Sequence, residues 1–411
     1  MNMHRVYMDN AATSFPKPPA VLEAMKHYAT EIGASAGRGA YREAIESAGV
    51  LADARKNLQL LFNGEVPEHF IFTLNCSDGL NVALKGLVLY QVAKGKKPHC
   101  ICTCIDHNSI LRPLAAMEEL GWITQTRVAI DPHTGLVNPD DIRSAIRPET
   151  CLVAVTHASN VTGTLQNIGK ISQITRECNI PLVVDAAQSA GHVPIDVQKD
   201  GIDILALPGH KGLLGPLGTG VLYIRPGVEK LMRTLKEGGT GSVSEQPRQP
   251  EFMPDRFESG SHNAIGIAGL SEGVKWLLAR GPEKMVAHDR GMMATFIEGI
   301  SVVEIPGLRY FGPQGVGNRV GVFSVRLEGF APQELSLLLE SRYGILTRPG
   351  IHCAPLAHEA IGTLATGGTT RFSFGPFLSH GDVNYATDCL ADIMISHREG
   401  RLASAADNAG R

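Results

Sequence analysis

The sequence predicts an α/β protein in which a largely parallel sheet is covered by helices on both faces. Seven short apolar runs have the length and the bounding residues of strands, at residues 69–73, 99–105, 122–128, 152–156, 181–185, 202–207 and 220–224. Stretches with helical periodicity fill several of the gaps, at residues 78–92, 110–120, 139–146 and 168–178. Strand–helix alternation of this kind favours parallel strands joined by helical crossovers.

The character of the sequence changes after Pro226. Residues 238–254 are rich in Gly, Ser, Pro and Gln and predict a long loop. Helical patterns then dominate residues 264–300, and a smaller α+β unit follows, with strands at 319–327 and 371–374 and helices at 332–343 and 382–397. We therefore expect an N-terminal segment (1–19) that packs with the small domain, a large domain (20–263) and a small C-terminal domain (264–411).

Length and charge limit the classes of function. A chain of 411 residues is long enough for two domains. Its net charge of −3 predicts no broad attraction to nucleic acid or to an anionic membrane surface. The first residues lack the apolar core of a signal peptide and no apolar run is long enough to cross a bilayer, so we expect a cytoplasmic location.

The 8 cysteines do not indicate a disulfide framework in a chain of this kind. Cys100, Cys102 and Cys104 alternate along one predicted strand, and the alternation predicts that all three lie on one face. This spacing lacks the paired knuckles of a zinc site. We therefore predict buried packing for these cysteines and no metal site.

Three segments carry the parts of a cofactor site. Asp185 ends one predicted strand, and open α/β sheets bind ligands at the carboxyl ends of their strands. Lys211 follows the next strand and lies among glycines, where the backbone can approach a ligand closely. The turn at residues 73–81 leads into a helix, whose N-terminus attracts phosphate. Taken singly, Asp185 could cap a helix and Lys211 could be an ordinary surface residue.

Together the three segments match the requirements of pyridoxal 5′-phosphate (PLP). This cofactor needs a lysine amine for its Schiff base, a carboxylate against its pyridinium nitrogen and a cradle for its phosphate. We therefore predict that Lys211 carries PLP and that Asp185 keeps the ring nitrogen protonated.

A series of motifs supports this interpretation along nearly the whole chain. In order, they are Tyr7–Ser14, Ala36–Gly39, Asp106–Ser109, Ser159–Gly163, Asp185–Gln188, Gly209–Lys211, Arg256–Ser261 and Arg348–Ala354. With them the chain resembles the class V aminotransferases and is most similar to the cysteine desulfurase and selenocysteine lyase family, in its SufS-like branch. The resemblance implies the PLP-dependent transferase fold of type I, a homodimer, and L-cysteine or selenocysteine as substrate.

The resemblance also implies roles for individual residues. His107 should stack on the pyridine ring and help to move protons. The other residues expected around the cofactor are Lys211, Asp185, Gln188, Asn160, Ser77, Asp78 and His210, with Ser261 reaching the phosphate from the partner subunit. The substrate should contact Arg371, through a fork with its carboxylate, and also Asn10, Ala11, Asn160 and Arg348. The simpler alternatives are that His107 caps a helix, that Asn160 serves only a turn and that Arg371 lies on the surface.

Cys353 is the candidate nucleophile, since it lies in an irregular loop that contains proline and glycine. We expect positive charge on His352 and Arg348 to lower the pKa of the thiol and to increase the thiolate fraction. The alternative is an inert cysteine beneath the loop.

Two positions depart from the family pattern. Relatives usually have serine where this chain has Pro208, so we expect phosphate binding to depend more on Ser77, His210 and Ser261. Relatives often have two adjacent histidines where this chain has Ile351 and His352, which predicts a different loop polarity and sulfur-acceptor preference.

The resemblance implies a reaction that converts L-cysteine to L-alanine. Lys211 would remove the Cα proton, and Cys353 would take the sulfur as a persulfide for a sulfur-acceptor protein. Three alternatives stay open: a selenocysteine lyase on the same scaffold, another class V aminotransferase or lyase, and a cofactor-free binding or scaffold protein descended from such enzymes.

Overall fold

The computed structural model describes residues 4–37, 39–303 and 305–402. Arg38 of the Ala36–Gly39 motif lies outside these ranges. The helices are α1 (Pro19–His27), α2 (Arg42–Phe62), α3 (Cys76–Val92), α4 (Asn108–Glu119), α5 (Pro139–Ala145), α6 (Ile168–Glu177), α7 (Ala264–Arg280), α8 (Pro282–Val302), α9 (Pro332–Tyr343), α10 (Pro355–Ala360) and α11 (His380–Arg398). The strands are β1 (Val6–Tyr7), β2 (Phe70–Thr73), β3 (His99–Thr103), β4 (Thr124–Val128), β5 (Thr150–Thr156), β6 (Leu182–Asp185), β7 (Ile204–Pro208), β8 (Gly220–Ile224), β9 (Leu308–Tyr310), β10 (Val322–Leu327), β11 (Ile345–Leu346), β12 (Arg348–Gly350) and β13 (Thr369–Ser373).

The large domain contains a seven-stranded sheet in the order β2-β8-β7-β6-β5-β3-β4. Strands β7, β6, β5, β3 and β4 are parallel to one another, and β8 runs antiparallel to both of its neighbours. Every residue of β6, β7 and β8 is buried, because helices cover both faces of the sheet. The predicted sheet is therefore confirmed.

The register of the central strands brings the predicted site segments together. Thr156 at the end of β5 pairs with Asp185 at the end of β6, and Asp185 pairs with Ala206 of β7. Lys211 follows β7 after a short turn. Because these strands are parallel, their carboxyl ends meet at one edge of the sheet.

The N-terminal segment lies against the small domain. Strand β1 pairs in parallel with β11, and Met8 is part of the small-domain apolar core. That core also contains Phe296 and Ile300 of α8. No described helix is long and apolar enough to cross a membrane.

The predicted domain boundary at residue 264 assigns helix α7 to the small domain, but the helix packs against the large domain. Its residues Leu270, Val274 and Leu277 belong to the core of the large domain, and the helix lies against α1 and α2. An apolar helix face must be buried where it packs, so α7 is part of the large domain by its contacts. We therefore propose that the division lies at Gly281, between α7 and α8.

The small domain has a four-stranded antiparallel sheet in the order β12-β13-β10-β9. The predicted strand 319–327 begins three residues late, at Val322. The reason is that residues 318–320 bond instead to a turn of the large domain, where the Leu165 amide donates to Asn318 and the Val320 amide donates to Gly163. Residues 238–254 contain no helix or strand, as predicted.

Phe296 offers a test of how the small-domain core is stabilised. Its buried ring lies 4.7 Å from the centroid of Phe323, 5.5 Å from Phe372 and 5.6 Å from Phe374. We expect Phe296→Ala to lower the free energy of unfolding by about 3–5 kcal/mol, measured by urea denaturation. The matched control is Val302→Ala on the same helix, which is 75% exposed and should change stability by less than about 0.5 kcal/mol. Equal effects of the two substitutions would contradict this account of the core.

Candidate active site

A cavity of about 360 Å³ lies at the carboxyl ends of β5, β6 and β7. Its size is in the range of small-molecule sites. The predicted residues that line it are Ser77, His107, Asn160, Asp185, Gln188, His210 and Lys211. The predicted residues that do not line it are Asn10, Ala11, Asp78, Ser261, Arg348, Cys353 and Arg371.

The carboxylate of Asp185 is held on one side and free on the other. Its Oδ1 accepts the backbone amide of Ala187 at 2.9 Å and the thiol of Cys76 at 3.5 Å. Burial and the neighbouring Asp185 raise the pKa of Cys76 well above its usual range, so the thiol stays protonated and donates. Among the described residues, Oδ2 has no hydrogen-bond partner. One carboxylate oxygen is therefore available to a cationic group in the cavity.

The amine of Lys211 makes no hydrogen bond or ion pair with any described residue. Burial lowers its pKa, the nearby Arg371 guanidinium adds to the decrease, and Asp185 opposes it. A lower pKa increases the fraction of neutral amine, which is the nucleophilic form. Gly212 follows directly, and a Cβ at that position would overlap the carbonyl of Ala190. Glycine is thus required for the lysine turn to pack against the turn after Asp185.

His107 caps a helix and also lines the cavity. Its Nδ1 accepts the Ser109 amide at 3.1 Å and so caps α4, and the ring also lines the cavity. Burial lowers its pKa to about 4, although Asp185 opposes the shift. The imidazole is therefore neutral at physiological pH, and Nε2 carries its proton.

The N-terminus of α3 also lines the cavity. Asn75 caps this helix, since its side chain accepts the Asp78 amide at 2.9 Å. The amides of Cys76 and Ser77 have no partner among the described residues. These two donors, with the Ser77 hydroxyl and His210 nearby, form an anion cradle.

Asp78 does not line the cavity, and its side chain and amide have partners within the protein. Its carboxylate accepts the Leu74 amide at 3.0 Å and pairs with Lys236 at 3.1 Å, and its own amide is taken by Asn75. A contact between Asp78 and a cofactor therefore stays a prediction.

Residues 10 and 11 support the cavity from outside. Ala11 accepts the side-chain amide of Gln188 at 3.0 Å, which fixes Gln188 in the cavity wall. The side chain of Asn10 bonds to the carbonyls of Tyr7 and Ser373 and to the amide of Phe15, each at 3.3 Å. Asn10 thus holds the N-terminal segment in place.

The Cys353 loop is fastened to the rim of the cavity. The carbonyl of His352 accepts the side-chain amide of Asn160, and the carbonyl of Cys353 accepts the amide of Asn108 at 2.8 Å. Both His352 and Cys353 have left-handed backbone conformations, with φ of 53° and 59°. Side-chain-bearing residues seldom adopt this region, so the surrounding bonds determine the shape of the loop. Cys353 itself is exposed.

The expectation that His352 supplies positive charge is wrong. His352 is buried, and burial together with the Arg371 charge lowers its pKa to about 2. Its ring bonds to the carbonyl of Arg348 at 2.9 Å and to His358 at 3.3 Å. A neutral imidazole in this position supports the loop and contributes no charge beside Cys353.

Arg371 lies inside the protein, which excludes the surface alternative. It is 1% exposed, stands opposite Arg348 across β12 and β13, and pairs with Asp9 at 2.8 Å. Its Nη1 donates to the carbonyl of Asn160 at 3.2 Å. Asn160 therefore joins the guanidinium to the cavity.

Ser261 is exposed and does not reach the cavity of its own chain. The segment that carries it is anchored by Glu258, which pairs with Arg55 through bonds of 2.9 and 2.6 Å. Glu258 also accepts the Phe72 amide and pairs with His262, both at 2.6 Å. Sequence reasoning missed this buried pair, although Glu258 lies within the Arg256–Ser261 motif.

The alternating cysteines do not all share one face. Cys100 and Cys102 lie in β3 and are buried in one apolar cluster, whereas Cys104 follows the strand and packs against the other large-domain cluster. The prediction is wrong for Cys104, because the strand ends at Thr103 and the alternation ends with it. The described residues contain no group of three or more His, Cys, Asp or Glu that could hold a metal ion.

Comparison with known proteins identifies the family. The family described as aminotransferase class V matches residues 6–385. The chain belongs to this family. A probable cysteine desulfurase of Methanothermobacter thermautotrophicus is 34% identical over 391 residues, which cover 94% of each protein. The cysteine desulfurase IscS of Clostridium botulinum is 30% identical over 409 residues, which cover 96% of each.

A solved structure of a cysteine desulfurase has the same fold as this class V protein. The apo structure of a cysteine desulfurase from Thermococcus onnurineus NA1 superimposes with a TM-score of 0.87 at 28% identity, and the match covers 95% of each chain. The predicted family resemblance and the predicted type I transferase fold are therefore confirmed.

Some lining residues of this class V site were not predicted. Asn75, Cys76 and Thr156 line the cavity beside the predicted residues. Asn75 and Cys76 belong to the turn at residues 73–81, which the sequence predicted to attract phosphate. The position of that turn could therefore have identified both residues as part of the cavity lining. Thr156 ends a strand adjacent to Asp185, and only the sheet order shows that adjacency.

His157 gives the structure a pH dependence that can be measured. Burial lowers its pKa to about 4, whereas an unfolded histidine titrates near 6.5. The folded state binds fewer protons, so stability is complete above pH 6.5 and is lost as the pH falls towards 4. Between pH 7 and pH 4 the free energy of unfolding should fall in both proteins, but less in His157→Gln. We expect the two decreases, measured by urea denaturation, to differ by up to about 3 kcal/mol. Parallel losses in both proteins would contradict the neutral state of His157.

Proposed function

We propose that this protein is a PLP-dependent cysteine desulfurase that converts L-cysteine to L-alanine and retains the sulfur as a persulfide on Cys353. The observation that carries the proposal is one cavity that contains the unpaired Lys211 amine, the half-free Asp185 carboxylate and the free amides of α3. The names of the relatives agree with it.

Unpaired polar atoms in the cavity wall support PLP as the ligand. Thr156 Oγ1, Asn160 Oδ1 and His210 Nδ1 are buried without partners among the described residues, and all three residues line the cavity. Buried polar atoms rarely stay unpaired, so a ligand rich in oxygen and nitrogen fits this space. When bound, PLP supplies an aldehyde for amines and a ring that accepts electrons from the substrate.

Different groups of the cavity lining suit different parts of this cofactor. Asp185 Oδ2 would hold the pyridinium nitrogen, and the amides of Cys76 and Ser77, with His210, would hold the phosphate. The neutral ring of His107 would lie against the pyridine face, while Asn160 and Gln188 would lie near the phenolic oxygen. Lys211 would hold the cofactor through its amine, and the neutral amine would remove the substrate Cα proton.

Cys353 would take the sulfur. Its thiolate would form a sulfur–sulfur bond with the substrate as the carbon–sulfur bond breaks, and the electron pair would go to the carbon. Protonation of that carbon yields alanine, and the persulfide stays on Cys353. Arg371 would hold the substrate carboxylate throughout, which orients the Cα proton towards Lys211.

The nucleophile assignment is tested by three variants with PLP bound. We expect Lys211→Ala to abolish turnover and Cys353→Ala to keep PLP but release no sulfide or alanine from L-cysteine. Cys178→Ala removes another exposed thiol outside the cavity and should keep full activity. Full desulfuration by Cys353→Ala would rule out the assigned nucleophile. Retained activity of that variant on selenocysteine alone would favour the lyase alternative.

We further propose a homodimer in which Ser261 of each chain completes the phosphate site of the other. Ser261 is exposed outside its own cavity, and Leu217, which lines the cavity, is 68% exposed. Leu74 is also largely exposed, just before α3. Exposed apolar side chains beside a polar site support an interface there.

Light scattering after size-exclusion chromatography checks the dimer. We expect a mass of twice the chain for the original protein, and dissociation with weaker PLP binding for Leu217→Asp, because a charge would be buried at the interface. Ile395→Asp, at an exposed apolar position on α11, is the control and should stay dimeric. A monomeric original protein that binds PLP tightly would contradict the shared site.

A further inference from the structure

Asp9 forms an ion pair with Arg371, the arginine that the proposed function assigns to the substrate carboxylate. The carboxylate Oδ1 lies 2.8 Å from Nη2 of Arg371, and the two side chains are 20% and 1% exposed. Nη1 of the same guanidinium is bound to the carbonyl of Asn160, whereas Nε has no partner among the described residues. The guanidinium is thus paired with a protein carboxylate but retains an unused donor.

The position of Asp9 is determined by its backbone. Its carbonyl accepts the Tyr7 hydroxyl at 3.1 Å and the amides of Ala12 and Thr13 at 3.0 and 3.4 Å. Asp9 also forms a parallel β-bridge with Ser373, two residues beyond Arg371 on β13. The carboxylate is therefore held beside the guanidinium by contacts that do not involve its own charge.

The charges around Arg371 explain why a carboxylate is needed there. Arg348 faces it across the sheet, and the Arg371 charge lowers the pKa of Lys211. A buried guanidinium among other cations is costly unless an anion compensates it. Asp9 supplies that anion when no substrate is present.

We propose that Asp9 is a specificity-determining residue that weakens the hold of Arg371 on the carboxylate of a bound amino acid. The inference rests on the proposed function, in which Arg371 binds the substrate carboxylate. An incoming carboxylate meets a guanidinium whose charge is already compensated, and it is repelled by Asp9 at short range. The product carries the same carboxylate, so Asp9 also favours its release.

The test replaces the charge and keeps the shape. In Asp9→Asn the side-chain oxygen still accepts from Arg371, and the backbone contacts of residue 9 are retained. The PLP-loaded protein is titrated with L-alanine and, separately, with ethylamine, and the absorbance of the bound cofactor reports each Kd. We expect the Kd of L-alanine to fall about tenfold and the Kd of ethylamine, which has no carboxylate, to stay unchanged.

Two further variants serve as a control and as a second test. Asp203→Asn makes the same change in a buried carboxylate, which pairs with the 42% exposed Arg225 through Oδ1 and Nε at 2.7 Å. Asp203 lies just before β7 and so at the opposite end of the sheet. It should leave both Kd values unchanged. Asp9→Ser removes the charge with a smaller side chain and should also tighten L-alanine relative to ethylamine, which keeps the test decisive if Asp9→Asn does not fold.

The outcomes separate this inference from the proposed function. An unchanged or weaker L-alanine affinity in both Asp9 variants, or an equal change for ethylamine, overturns the role of Asp9. An original protein that binds L-alanine with the expected Asp9 dependence but releases no sulfide from L-cysteine overturns the desulfurase assignment and supports the role of Asp9.

Discussion

The parallel register of β5, β6 and β7 is the constraint on which the candidate site depends. It places Thr156 beside Asp185 and brings the turn that carries Lys211 to the same edge of the sheet. The strands are buried on both faces, so a shift in register would mispack the core side chains on each face and is strongly disfavoured. The distance between Asp185 and the turn that carries Lys211 is therefore set by the core of the large domain.

The N-terminal segment connects this rigid edge to the small domain. The carbonyl of His210, one residue before the candidate cofactor lysine, accepts the Thr13 hydroxyl at 3.0 Å, the Ser14 amide at 3.0 Å and the Lys17 amine at 2.8 Å. Burial lowers the pKa of Lys17 to about 8. The same segment contacts Arg371 through Asp9. One short stretch of chain thus fixes the relative positions of the lysine turn and of Arg371, the arginine proposed to bind the substrate carboxylate.

Sequence reasoning was most successful where local pattern and chemistry coincide. Apolar runs and helical periodicity located the seven strands, and the cavity brings together Asp185, Lys211 and the α3 turn because strand ends meet at one edge. It failed where the answer depends on contacts distant in sequence. The pairs Asp9–Arg371 and Arg55–Glu258 join residues hundreds of positions apart, and no periodicity reports them. The charge of His352 depends on burial, which its position in a loop does not indicate.

The neutral state of His352 changes the electrostatic picture of the Cys353 loop. A chain of hydrogen bonds runs from the Arg348 carbonyl through His352 and His358 to Thr363, and burial keeps both imidazoles neutral by lowering their pKa values to about 2 and about 4. This chain supports the strained loop without adding charge. Positive charge in this region is then concentrated on the two arginines of β12 and β13, with one carboxylate from the N-terminal segment against them. In the proposed function, the balance between these three groups, with no charge from His352 or His358, would govern how a substrate carboxylate is held beside the loop.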